Sequence, residues 1–281
     1  MFSTQKKIID FHVHLAQYEV YCDSAFEWNS QAYSSHEAYK AFRNKYKNPD
    51  AFIKLMDENG VDYSVILAEV APLTTGIATN EMVESFCQGN SRLIPFCTFN
   101  PQVDPQMSHS LEELCVKHGF KGVKLYPTYN HFYPNDPVMY PLYSEAERLS
   151  IPVSFHTGSS VFKNSRIKYG NPIFFDDVAV DFPNLKIIMA HGGRGPWYDE
   201  ALTMVRLHEN IYIDVAGLPP QKLLEYFPDI ARFAHKFVFG TDWPGADMKR
   251  NIEKISKLPI SRDAVEMILG ENAMKILGLW N

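Results

Sequence analysis

Two histidines near the start of the chain, His12 and His14, have the spacing that most directly predicts chemistry. They end the segment Asp10-Phe11-His12-Val13-His14, which follows the apolar pair Ile8-Ile9. If this segment is a strand, both imidazoles project from the same face, because side chains alternate with a period of two. Two neighbouring imidazoles form half of a metal site, and a carboxylate could complete it for a divalent cation such as zinc.

Further polar residues of the required types each end a separate apolar segment. They are Lys124, His156, His191 and Asp242. A catalytic metal site keeps one position open for water, and the ion lowers the pKa of that water from about 15.7 to about 7. A histidine or aspartate beside the ion can then move protons. The set therefore predicts a metal-dependent enzyme.

The elements that must bring these residues together are eight short apolar segments rich in Val, Ile and Phe. Their lack of polar alternation is typical of a buried parallel sheet. The predicted strands are Ile8–His14, Asp62–Ala68, Leu93–Phe99, Gly119–Tyr126, Pro152–His156, Lys186–His191, Ile211–Val215 and Lys236–Thr241. Helical patterns lie between them, among them Pro49–Asn59 and Pro220–Ala234.

Strand–helix alternation repeated eight times predicts an α/β protein, a single (β/α)8 TIM-barrel domain over residues 1–281. The carboxyl ends of its strands would meet at one mouth, where such barrels build their active sites. The alternative is an open doubly wound sheet, which normally carries a Gly-rich turn after its first strand. Here that turn is His-x-His, which favours the barrel.

The connection after the first strand, residues 15–48, is far longer than an ordinary strand–helix loop. It contains eight aromatic residues: Tyr18, Tyr21, Phe26, Trp28, Tyr33, Tyr39, Phe42 and Tyr46. In a barrel this loop lies on the catalytic face. We expect either a lid or substrate wall, or a small helical insertion that buries its own aromatic side chains; the two are compatible.

Composition sets further limits. The 281 residues are 46% hydrophobic and carry a net charge of −6, so a sizeable core is expected and a nucleic-acid surface is not. No apolar stretch is long enough to cross a membrane, and the N-terminus does not resemble a signal peptide. The four cysteines lack zinc-finger spacing, which favours free thiols in a reducing compartment. A cytoplasmic protein is the expectation.

As an ordered set, these motifs resemble the amidohydrolase superfamily. The similarity is strongest to its amidohydrolase-related branch, which includes aminocarboxymuconate-semialdehyde decarboxylase, γ-resorcylate decarboxylase and pyrone-dicarboxylate lactonase. It spans essentially the whole chain, from the His-x-His pair through Gly122-Val123-Lys124-Leu125, His156-Thr157-Gly158 and His191-Gly192-Gly193 to Gly240-Thr241-Asp242-Trp243-Pro244.

The resemblance implies that His12, His14, His156 and Asp242 bind one divalent metal. Zinc is favoured, with Mn²⁺ or Fe²⁺ as alternatives. His191 would be the acid–base residue beside the metal, and Asp242 would be a ligand or take a proton from the metal-bound water.

The resemblance leaves two options for Lys124. In binuclear relatives a strand-four lysine is carbamylated and bridges two metals, whereas in the single-metal branch it need not touch metal. We expect one metal, with Lys124 as a nearby charge or substrate contact. A lysine here also differs from the strand-four glutamate of similar nucleases.

Further contacts are expected around the mouth. Tyr126, Arg194 and Trp243 are candidate substrate contacts with Lys124, because a guanidinium suits a carboxylate and aromatic rings can wall a small substrate. Asp10 is expected to bond a ligand imidazole.

Two reactions fit this site. The first is hydrolysis of a small, carboxylate-bearing ester, lactone or amide by metal-activated water. The alternative is non-oxidative decarboxylation of a small aromatic or unsaturated carboxylic acid. The compact chain favours hydrolysis, because decarboxylases of the branch tend to be longer. A barrel without activity is disfavoured by the intact set of ligand-type residues. The partner is a small-molecule substrate, with no nucleic acid or membrane, and a homodimer is compatible with the resemblance.

Overall fold

Eight parallel strands follow one another around one sheet in chain order in the computed structural model, which describes residues 6–279. They are Ile9–His14, Tyr63–Leu67, Leu93–Cys97, Gly122–Leu125, Val153–Gly158, Ile187–Arg194, Ile211–Asp214 and Phe237–Val238, here called barrel strands 1 to 8. The N–H of Phe11 donates to the carbonyl of Phe239 over 2.9 Å, and the N–H of Asp242 donates to that of His12 over 3.0 Å. These bonds join strand 1 to the segment after strand 8, which confirms the predicted TIM barrel.

Helices cover the outside of the sheet and connect its strands. The α-helices are Asp23–Ser30, His36–Tyr46, Pro49–Asn59, Asn80–Cys87, Met107–His118, Pro127–Asn130, Tyr140–Arg148, Phe175–Asp181, Tyr198–Leu207, Leu223–Tyr226, Met248–Ile255, Arg262–Glu266 and Asn272–Leu277. The predicted helix Pro49–Asn59 is confirmed. Asn48 caps it by accepting bonds from two backbone N–H groups, and Gly60 ends it in a left-handed conformation.

The predicted helix Pro220–Ala234 is wrong in its length. A 3₁₀ turn over Pro220–Lys222 leads into a helix that ends at Tyr226, and turns follow. Pro228 is the reason, because proline disfavours helical backbone at the preceding residue and donates no N–H. Phe227 accordingly leaves the helical region, with φ −131° and ψ 78°.

The lower interior of the barrel is filled by apolar side chains. Phe11 and Phe96 meet edge to face with ring centroids 5.6 Å apart. A side chain at Gly122 would collide with the Phe96 ring, since a Cβ there would lie 2.3 Å from its tip. This packing fills the lower part of the barrel. A cavity formed by the polar residues at the strand ends can therefore open only at the upper mouth.

Candidate active site

A β-bulge in strand 1 orients the two histidines that the sequence singles out. Asp10 pairs with Ser64 and Val13 pairs with Ile66, so strand 1 has one residue more than strand 2 between these pairs. An extra residue changes the phase of the side chains beyond it. His12 and His14 therefore face the mouth, although Phe11, directly before them, belongs to the apolar interior cluster.

Three potential ligand atoms meet at this mouth. Nε2 of His12 lies 3.3 Å from Nε2 of His14. Oδ1 of Asp242 lies 3.4 Å from the first nitrogen and 3.2 Å from the second. A tetrahedral ion with bonds of about 2.1 Å separates neighbouring ligand atoms by about 3.4 Å. The spacing therefore fits a single metal ion.

His156, the third predicted histidine ligand, lies beside this group but outside the close cluster of three. Its ring is 2% exposed, and its Nε2 has no hydrogen-bond partner among the described residues. A buried polar atom without a partner is costly. Coordination to a metal would satisfy this nitrogen, so the donor set fits the implied ion.

A buried carboxylate contacts the other nitrogen of each histidine in the close cluster. Nδ1 of His12 donates to Asp214 over 2.6 Å, and Nδ1 of His14 lies 3.2 Å from Glu69. Such partners fix the ring orientation and direct Nε2 towards a metal. Sequence reasoning missed both acids. Asp214 ends strand 7 and Glu69 follows strand 2 by two residues, so the rule applied to the histidines could have found them.

The surroundings set the charges of this cluster. Burial, together with the positive charge of Lys124, lowers the pKa of His12 well below its usual value, which keeps the imidazole neutral. Burial also opposes a charge on His14, but its contacts with Asp242 and Glu69 outweigh this and raise its pKa to about 9. Burial disfavours the charged form of Asp242. The neighbouring His14, His12 and His191 outweigh this, His14 having the largest effect, and hold the pKa of Asp242 well below the usual range.

His191, the predicted acid–base residue, lies between the other histidines. Its ring centroid is 5.0 Å from that of His12 and 4.8 Å from that of His156. Nδ1 lies 2.8 Å from the carbonyl of Ala216; a carbonyl only accepts, so Nδ1 carries the proton. Burial, reinforced by Arg194, lowers the pKa of His191 well below its usual value. Nε2 is therefore the nitrogen free to exchange a proton.

Arg194 extends from the end of strand 6 into the same cavity. Two of its N–H groups donate to the carbonyl of Ser159, over 3.2 and 3.0 Å. Gly217, with φ +66°, leaves room for the guanidinium of Arg194. A Cβ at this position would lie 3.0 Å from Nη1 of Arg194 and 2.7 Å from Oδ2 of Asp242. The guanidinium is thus held next to the candidate metal ligands.

These residues line a cavity of about 460 Å³ at the barrel mouth. The loop of residues 15–48 forms one wall, to which it contributes Tyr18, Tyr21, Trp28 and Tyr39. It contains two helices, and its strand Val20–Tyr21 pairs with Gly76–Ala78 in a small separate sheet. Its aromatic side chains also contact one another, with Tyr18 stacked on Tyr21 at 4.7 Å. The segment is therefore both a helical insertion and a cavity wall.

Lys124 and Tyr126, two of the predicted substrate contacts, also line the cavity. Lys124 is fully buried, and burial lowers its pKa to about 8. The hydroxyl of Tyr126 donates to the carbonyl of Ala68 over 2.9 Å, which fixes its ring as part of the wall.

Two expectations about site residues need correction. Trp243 is not one of the described residues that line this cavity. It packs on Phe42 and Phe52, whose ring centroids lie 5.6 and 5.0 Å away. Asp10 does not bond an imidazole. It lies before the bulge, out of phase with His12, and accepts bonds from the N–H and hydroxyl of Thr241 over 2.8 and 2.6 Å.

Comparison with known proteins places this geometry in context. The sequence model of a family described as amidohydrolase matches residues 9–279. γ-Resorcylate decarboxylase of Rhizobium sp. strain MTP-10005 is 25% identical over 253 residues, covering 69% of this chain and 76% of that protein. The enzyme of the same name from Rhodococcus jostii RHA1 is 23% identical over 277 residues, covering 75% and 82%.

Solved structures share the barrel. A TIM-barrel protein from Bordetella bronchiseptica has a TM-score of 0.78 at 24% identity, covering 97% of this chain and 98% of that one. A dihydroxybenzoic acid decarboxylase from Polaromonas sp. JS666, solved with manganese and 2-nitroresorcinol, has a TM-score of 0.72 at 16% identity, covering 98% and 97%. In the part of the chain that is described, no helix has the length and apolar character needed to cross a membrane.

Proposed function

The chain belongs to the amidohydrolase family, and on that basis we propose that it is a metal-dependent decarboxylase that removes CO2 from a small aromatic carboxylic acid without an oxidant. Hydrolysis, which the compact chain favours, is the second candidate. The two sequence relatives named above are γ-resorcylate decarboxylases, and this supports decarboxylation over hydrolysis.

The observation that carries the proposal is the donor set at the cavity floor. Nε2 of His12, Nε2 of His14 and Oδ1 of Asp242 lie within 3.4 Å of one another, next to the unpartnered Nε2 of His156. Aromatic side chains form part of the cavity wall, which suits a flat ring; they are Tyr18, Tyr21, Trp28, Tyr39, Tyr126, Tyr129 and Phe162.

We assign His12, His14, His156 and Asp242 as the residues that would hold one divalent ion. Imidazole and carboxylate accept zinc, manganese or iron, so the donor set alone does not select among them. When bound, the ion would supply positive charge to the oxygens of the substrate. Asp214 and Glu69 would keep the two strand 1 imidazoles oriented for binding it.

The chemistry breaks one C–C bond and forms one C–H bond. The electron pair of the broken bond stays on the ring carbon, CO2 leaves, and the ring carbon takes up a proton. That proton comes from solvent or from the protonated acid: Nε2 of His191, which carries no proton while Nδ1–H is bonded to Ala216, would take it up and pass it to the ring carbon. The guanidinium of Arg194 lies beside it and can hold a carboxylate oxygen.

The loop of residues 15–48 would serve as the lid of this cavity. Trp28, on its first helix, meets Phe162 of the loop after strand 5 edge to face, with ring centroids 5.7 Å apart. Both rings line the cavity. This contact bridges two sides of the mouth and would limit the access of water to the reacting carbon.

The test is a substrate panel with metal-quantified protein. Carboxyl-labelled hydroxybenzoates and other aromatic acids are incubated without an oxidant, in parallel with aryl esters, lactones and amides. Release of labelled CO2 with formation of the matching arene is expected. Turnover of esters, lactones or amides alone would establish the hydrolase instead.

A further inference from the structure

Lys124 is a buried cation whose ammonium makes no hydrogen bond to the described residues. Its side chain is fully buried on barrel strand 4, yet Nζ has no hydrogen-bond partner among residues 6–279. The centroid of the Tyr126 ring lies 5.3 Å from Nζ, and Asp214, Asp242 and Glu69 attract the ammonium without a hydrogen bond to it. A cation–π contact replaces only part of the hydration that an ammonium loses on burial.

The buried carboxylates of the site are already engaged by other partners. Glu69 accepts bonds from Tyr18 and Thr75 and contacts His14. Asp214 accepts from His12 and from a backbone N–H. The remaining acid, Asp242, lies between the two strand 1 imidazoles, as described above.

The position of Lys124 directs this unused donor towards the reaction site. Lys124 pairs in register with Ser154 on strand 5, two residues before His156. Residues two apart on a strand share a face, so Lys124 and His156 face the same cavity from neighbouring strands. The ammonium therefore lies in the substrate cavity rather than in the apolar layer around the barrel.

We propose that Lys124 binds a second oxygen group of the substrate, either a carboxylate or a phenolic oxygen, distinct from the carboxylate that is lost. This inference rests on the proposed function, and it makes Lys124 the residue that selects substrates by their second oxygen group. A bound oxygen would give the ammonium the hydrogen-bond partner that residues 6–279 do not provide.

The test measures binding rather than turnover. Benzoate, 3-hydroxybenzoate and isophthalate are titrated into metal-loaded protein by calorimetry; the meta position prevents the second group from chelating the same ion. The wild type is expected to bind at least one of the two substituted acids about tenfold or more tightly than benzoate. Lys124→Met, loaded with metal in the same way, is expected to bring that ratio to about 1. Preference for isophthalate would identify a carboxylate, and preference for 3-hydroxybenzoate a phenolic oxygen.

A matched variant separates binding from folding. Lys236 is also buried, but its ammonium is paired with Glu209 at 3.3 Å. Lys236→Met is expected to lower Tm and keep the ligand preference, whereas Lys124→Met should leave Tm about unchanged, because it relieves the burial of an ammonium that has no hydrogen-bond partner among the described residues.

Equal wild-type affinity for all three acids, or an unchanged preference in Lys124→Met, would overturn the inference. If no aromatic acid of the substrate panel released CO2, the proposed decarboxylase activity would be wrong. The titration would still test the role of Lys124, because it measures binding and needs no reaction.

Discussion

The carboxylate of Asp214 accepts a 2.6 Å hydrogen bond from Nδ1 of His12, and both side chains are almost completely buried. The bond places the imidazole proton on Nδ1 and leaves Nε2 as the ligand atom. His12 lies on strand 1 and Asp214 ends strand 7, on the other side of strand 8. The orientation of the His12 ring therefore depends on the closed barrel, which brings these strands together.

Asp214→Asn is therefore expected to weaken metal binding by about 10- to 100-fold, because an amide cannot fix the His12 ring in the same way. Competition with a chelator of known affinity measures the effect. Asp229→Asn, which removes a surface partner of Arg206, is the control and should leave metal affinity unchanged. Equal metal affinity in wild type and Asp214→Asn would rule out the positioning role.

Loss of two proposed ligands should abolish metal retention. The double variant His12→Ala, His156→Ala is expected to purify with almost no metal and no turnover, measured by elemental analysis alongside activity. His208→Ala is the matched control, because this histidine pairs with Asp176 away from the mouth. Full metal retention in the double variant would show that the ligands lie elsewhere.

Proton competition at His14 should make metal binding dependent on pH. In the metal-free protein the contacts with Asp242 and Glu69, working against burial, raise the pKa of His14 to about 9. The metal must displace that proton, so its affinity should rise by up to about tenfold per pH unit between pH 7 and 9 and level off above. Glu69→Gln should flatten this rise. Anaerobic Mn²⁺ titrations over this range provide the measurement, and an affinity independent of pH would contradict it.

Two tryptophans should respond in opposite ways to substitution. Trp243 is 5% exposed and packs on Phe42 and Phe52, so Trp243→Phe is expected to lower the free energy of unfolding by about 0.5–3 kcal/mol with little change in KM. Trp28 is 45% exposed and lines the cavity, so Trp28→Ala should raise KM and cost little stability. Chemical denaturation and steady-state kinetics test both, and a raised KM in Trp243→Phe would restore its predicted substrate contact.

The sequence predicts the barrel well because each buried strand is a short apolar run with a polar residue at its end. Strand 1 begins one residue later than predicted, and strand 2 is one residue shorter than predicted at each end. The orientation of side chains was harder to predict. Asp10 and Trp243 lie close in sequence to proposed site residues, but the bulge in strand 1 and the packing of Phe42 direct their side chains away from the cavity. Glu69 and Asp214 lie at or just beyond strand ends, as the predicted residues do, but their contacts with imidazoles join strands distant in sequence and are visible only in the structure.

The central claim, a metal site that releases CO2, is tested most directly by titrating metal-stripped protein with Mn²⁺. Bound metal and labelled CO2 released from a carboxyl-labelled hydroxybenzoate are followed in the same samples. We expect both to rise together and to saturate at about one ion per chain. CO2 release without added metal, or saturated metal binding with no CO2 from any aromatic acid in the panel, would contradict the account.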